Sequence, residues 1–97
     1  MPFDGGRYQI FLKIINNSTD EVINLIEQQN NIDFALNKFD WTPLHTAAYQ
    51  GNKDLVLYLL GRGARKERTN VSGLTAEMLA EEKGHWEVCE LIGRWEE

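Results

Sequence analysis

The stretch Asp40-Trp41-Thr42-Pro43-Leu44-His45-Thr46-Ala47-Ala48-Tyr49-Gln50-Gly51-Asn52 decides how this chain folds. Thr42 is a strong helix N-cap, because its hydroxyl accepts from a backbone N–H that a helix start leaves unpaired. Pro43 follows at the first helical position, where a missing N–H is harmless. The helix opened there is expected to run from Pro43 to Gln50 and to stop at Gly51-Asn52, a pair that readily takes the left-handed turn. A second helix, about Lys53 to Arg62, follows. It carries Leu55, Val56, Leu59 and Leu60 on one face, with Asp54 in its first turn and Arg62 in its last, both suited to the helix dipole.

Working outward, the sequence repeats itself at an offset of 33 residues: Thr42 falls on Thr75, Ala47 on Ala80, Gly51 on Gly84, Leu55 on Val88 and Leu59 on Ile92. Asn37 meets Asn70 just ahead of each unit. In the other direction Val22, Ile23, Leu25 and Ile26 land on Leu55, Val56, Tyr58 and Leu59. The third unit opens at Thr75, turns at Gly84-His85 and runs through Trp86 to about Trp95. The first is the least regular, with an opening helix from Tyr8 to Asn16 and Ser18 and Glu21 at capping-box spacing before the second. No segment alternates with the two-residue period of a strand. A lone helix pair cannot bury its apolar face, so the units must stack. The expected fold is therefore all-α, a solenoid of about three helix-turn-helix repeats (4–36, 37–69 and 70–97). Residues 29–41 and 62–74 project as loops or narrow hairpins, and residues 1–6 form a flexible or loosely packed N-terminus.

A chain of 97 residues is one domain. No apolar run approaches the roughly 20 residues of a membrane span, and Met1 to Gly6 lacks the order of a secretory signal. The expected compartment is cytoplasmic or nuclear, with export by a signal-free route left open. The single cysteine, Cys89, excludes an internal disulfide and a multi-cysteine zinc site. A net charge of −5 disfavours nucleic acid and anionic membrane as partners. The charge is uneven: Arg62, Arg65, Lys66 and Arg68 stand close together against Glu67 alone.

The string Thr42-Pro43-Leu44-His45-Thr46-Ala47-Ala48, then Gly51, Leu55 to Leu60 and Gly63-Ala64, closely resembles an ankyrin repeat. The third unit keeps Gly73, Leu74, Thr75, Ala80, Gly84 and His85, but has Ala76-Glu77-Met78 where Pro-Leu-His stands in the second. The first has Gln9-Ile10-Phe11-Leu12 in place of the motif. The resemblance covers about residues 8–95. Terminal repeats face solvent on one side. Glu81, Glu82, Glu87 and Glu90 give the third unit the polarity of a closing C-terminal cap. The apolar first helix, with Ile10, Phe11, Leu12, Ile14 and Ile15, is expected to be covered by Met1 to Gly6 folding back; the alternative is an exposed sticky face.

The resemblance implies a structural role for His45, hydrogen-bonded to Thr42 and to the adjacent loop backbone, and for His85 in the turn between helices. No nucleophile or carboxylate pairs with His45 at helical spacing, so catalysis is not expected. Cys89, aligned with Val56, is expected to be core. Gly61-Arg62-Gly63 closes a helix and does not open one, so it is no phosphate loop. No cofactor or metal is implied.

The resemblance also implies that partners are gripped by loop tips and by the concave surface of each first helix. Those places are Lys38, Phe39, Trp41, Tyr49 and Gln50 in the second unit, and Val71, Ser72, Leu74, Glu82 and Lys83 in the third. At the first junction they are Asn16, Asn17 and Leu36. Phe39 and Tyr49 are expected contacts, whereas Trp41 reads equally as a contact or as packing. Arg65, Lys66 and Arg68 depart from the usual repeat and, with Arg62, would steer an acidic partner; otherwise they are a helix cap and a solvated loop tip. The function expected is a non-catalytic protein-binding module, an adaptor or an inhibitor, acting as a monomer. The alternative is a subunit docking into an assembly or a homo-oligomer through its apolar first helix.

Overall fold

A computed structural model describes residues 7–28 and 32–96. Among these residues there are six helices and no strand: α1 (Arg7–Ile15), α2 (Thr19–Glu27), α3 (Pro43–Gln50), α4 (Lys53–Gly61), α5 (Ala76–Glu82) and α6 (Trp86–Arg94). They form three antiparallel pairs. The first helices α1, α3 and α5 make one layer with α3 in the middle, and the second helices α2, α4 and α6 make the other. No helix among the described residues is long and apolar enough to cross a membrane.

The caps explain why the helices begin where they do. Thr42 and Thr75 sit in extended backbone, and each side chain accepts from the N–H three residues on, that of His45 and of Met78. Asn52 does the same for α4, accepting from Leu55. Gly51 and Gly84 take left-handed φ values of 74° and 76°, which ends each first helix and turns the chain into the second. Asn17, at φ 60°, makes the corresponding turn after α1 with an amide side chain in place of glycine.

The core runs through all three repeats. Leu44, Ala47, Ala48, Leu55, Val56, Leu59 and Leu60 of the second unit are buried between Ile10, Ile14, Val22 and Ile26 on one side and Ala76, Ala80, Val88 and Ile92 on the other. The apolar character of α1 is thus largely accounted for within the stack, since Ile10 and Ile14 pack inward where α1 meets α2 and α3. The expected cover from Met1 to Gly6 lies outside the described residues.

Three local expectations are corrected. Ser18 precedes α2, but its side chain accepts no capping hydrogen bond; Glu21 instead pairs with Lys13 of α1 at 2.8 Å. A full charge within reach outcompetes the neutral backbone donor. Arg62 lies just past the last turn of α4, where its guanidinium donates to the Tyr58 hydroxyl at 2.8 Å and stacks 5.7 Å over that ring. Cys89 is half-buried, not core. Val56, its counterpart, is covered by the next repeat, and among the described residues no repeat stacks beyond α5 and α6. Burial and the nearby Glu77 and Glu81 carboxylates push the Cys89 thiol above its ordinary pKa, which keeps it a poor nucleophile.

Candidate interaction surface

Two loop tips project beside α3 and α5, and both are built on an asparagine. Asn37 Oδ1 accepts from the N–H groups of Phe39 and Trp41, and Asn70 Oδ1 accepts from those of Ser72 and Leu74. Each tip is closed by a backbone bond, Leu36 N–H to Trp41 at 2.6 Å and Asn70 N–H to Leu74 at 3.0 Å. At the same point in both tips the chain adopts positive φ, through Asp40 at 63° and Gly73 at 79°. The tips are tied to each other by a 3.0 Å bond from the Val71 N–H to the Phe39 carbonyl.

His45 joins α3 to the second tip. Its Nδ1 accepts from the Thr42 N–H at 3.2 Å and lies 2.8 Å from the Thr42 hydroxyl, so Nε2 carries the proton and donates to the Leu74 carbonyl at 3.0 Å. The ring is fully buried, and burial pushes its pKa below the ordinary value against the pull of the Leu74 carbonyl. An imidazole locked between a cap and a carbonyl has no free nitrogen for acid–base work. Among the described residues no group of three or more His, Cys, Asp or Glu side chains converges as a metal would require.

The repeat geometry is matched by family comparison: a model described as ankyrin repeats, in three copies, covers residues 10–94. This chain belongs to the ankyrin-repeat family. Its repeats are protein–protein interaction modules, and the family is generally non-catalytic. The probable E3 ubiquitin-protein ligase XBOS33 of Oryza sativa subsp. japonica is 45% identical over 51 residues, covering 53% of this chain and 10% of that protein. A putative ankyrin repeat protein of Rickettsia felis is 34% identical over 65 residues, 66% of this chain and 21% of that one. The ankyrin chain thus spans only a tenth to a fifth of the length of these relatives. Among solved structures, a chain from the complex of the predatory endopeptidase Bd0816 of Bdellovibrio bacteriovorus with the immunity protein Bd3460 superimposes with a TM-score of 0.80. It is 26% identical and is matched over 88% of this chain and 44% of its own.

In this ankyrin stack the candidate contact residues fall into two groups. Phe39 is 51% exposed and Val71 65% exposed, neighbours across the bond that joins the two tips. Lys38 holds its ammonium 5.3 Å over the Phe39 ring, and Ser72 is exposed beside Val71. Just ahead of α3, Trp41 meets the Tyr49 ring of that helix edge-on at 5.1 Å and lies 6.4 Å from His45. Lys83 places its ammonium 5.1 Å over Tyr49 from the next repeat. Leu74 is half-buried and Glu82 exposed, whereas Gln50 spans to α1, its amide donating to the Ile15 carbonyl at 2.8 Å. Asn16 and Asn17 are exposed, but Leu36 is buried under the first tip.

The basic run is largely engaged within the chain. The Lys66 ammonium donates to the Ile92 and Trp95 carbonyls at 3.2 and 2.6 Å, closing the end of α6. Arg68 donates to the Asp33 carbonyl and pairs with Asp40 at 3.0 Å. The Arg65 N–H donates to the Asp33 carboxylate at 3.0 Å, while its own side chain stays exposed. Sequence reasoning missed these fasteners and the two lysine–aromatic contacts. One signal was present: Lys83 lies 34 residues after Tyr49, one place past the repeat period, which sets it alongside the preceding repeat's ring.

Proposed function

We propose that this chain is a non-catalytic binding module, an adaptor or an inhibitor that covers part of its partner's surface. It engages a protein through the two tied loop tips and the aromatic surface of α3, working as a monomer in the cytoplasm or nucleus. The observation that carries the reading is the exposure of Phe39 and Val71 side by side on tips held rigid by Asn37 and Asn70. Large apolar side chains displayed on preorganised backbone are where interface energy concentrates, because little ordering entropy is lost on contact.

Lys38, Phe39, Trp41, Tyr49 and Gln50, with Val71, Ser72, Leu74, Glu82 and Lys83, are the proposed contacts. Arg65 contributes charge at the rim, and Lys66 and Arg68 act through the loop shape that they fix. The test replaces Phe39, Trp41 and Tyr49 by alanine. Helical circular dichroism is expected to persist while partner recovery in pull-down falls away. Equal recovery by the triple variant overturns this placement of the site. The alternative of docking through α1 is less supported, since Ile10 and Ile14 are consumed in the core, Leu12 is half-buried and Ile15 is just 37% exposed.

A further inference from the structure

We infer that the partner presents, on one segment, a large apolar side chain flanked by carboxylates. This rests on the site proposed above and specifies what that site selects.

The argument begins with where the chain's positive charge is left available. Acidic residues outnumber basic ones by 15 to 10, so a surface lysine has carboxylates to choose from. Lys13, Lys53, Arg68 and Arg94 each have one, namely Glu21, Glu87, Asp40 and Glu90. Lys38 and Lys83 do not appear in any ion pair among the described residues; each ammonium rests over an aromatic ring, Phe39 and Tyr49. A cation over a ring keeps most of its hydration and gains little at an exposed site. It therefore remains free to accept a carboxylate on its outer side.

The two lysines bracket the aromatic and aliphatic surface. Lys38 stands at the tip beside Phe39 and Val71, and Lys83 stands beyond Trp41 and Tyr49 at the C-terminal end of α5. A ligand that fills the apolar stretch meets a positive charge at either end of it. Glu82, in the place Tyr49 occupies one repeat earlier, bounds the far side with negative charge and disfavours a uniformly acidic ligand. The chemistry that fits is apolar in the middle and acidic at the flanks.

The probe is a phage-displayed library of random peptides selected against the whole immobilised chain, followed by affinity measurement of the enriched peptides. The expected result is enrichment of an aromatic or aliphatic residue flanked by Asp or Glu. Binding should weaken about tenfold in K38E/K83E and stay near wild type in K38R/K83R. Enriched peptides that are neutral or basic, or acidic peptides indifferent to K38E/K83E, overturn the inference, as does a library that yields no enriched peptide. The aromatic triple variant separates the two levels. Peptides that fail on it but ignore K38E/K83E refute only the charge requirement, whereas peptides that still bind it refute the site itself.

Discussion

His45 Nε2 on α3 donates to the Leu74 carbonyl, 3.0 Å away in the next repeat's loop, while Nδ1 faces the Thr42 N–H at 3.2 Å. One ring therefore closes a helix cap and fastens two repeats, but only when it is neutral. Protonation puts a second hydrogen on Nδ1, pointing at an existing donor. Burial holds the folded-state pKa below the ordinary 6.5, so the unfolded chain binds the proton first. Stability is fully present above 6.5 and declines as pH falls from there towards the folded-state value, below which this contribution levels off. Urea midpoints measured from neutral to mildly acidic pH should fall in the wild type and fall less in His45→Gln. Parallel pH curves for the two would refute the assignment.

Gly51 and Gly84 share a left-handed φ, yet they differ in surroundings. A Cβ at Gly51 lies 2.6 Å from the His85 ring, whereas one at Gly84 finds nothing nearer than the Trp86 indole nitrogen at 4.0 Å. Gly84→Ala should lose about 1–2 kcal/mol from backbone strain alone. Gly51→Ala should lose more, because the ring must also move. In the His85→Ala background the two glycine substitutions should converge. Equal losses in the wild-type background, read from denaturant midpoints, would refute the steric contact.

Trp41 and Phe39 separate packing from recognition. Trp41 leans on Tyr49 and is half-buried, while Phe39 is exposed at the tip. Trp41→Ala is expected to lower stability by about 1–3 kcal/mol and Phe39→Ala to stay within about 0.5 kcal/mol of wild type. Thermal melts of the single variants check this directly; a destabilised Phe39→Ala would mean that the ring supports the fold.

Leu59 has no exposed surface and lies in the central repeat, with covered neighbours on both sides. Leu59→Ala should lose about 2–5 kcal/mol, a large share of the stability of a domain this size. A melting curve that barely moves would place Leu59 outside the inter-repeat core.

The helix pairs, their caps and their turns were legible in the residues themselves. Thr42-Pro43, Gly51-Asn52 and Thr75 act through bonds to backbone within a few positions, so their neighbours in sequence suffice to specify them. The 33-residue period carried the stacking, because each copy leaves an apolar face that only another copy covers. Side chains with several reachable partners were decided by the tertiary structure alone. Glu21 left its capping position for Lys13; Lys66 closed a helix end 26 and 29 residues away; Arg68 joined Asp40 and the Asp33 carbonyl. Long charged side chains take the strongest partner within their radius, and which partners lie inside it is known only once the repeats have come together. The same assembly set Lys83 over the Tyr49 ring of the preceding repeat, which no reading of Lys83's own neighbourhood determines.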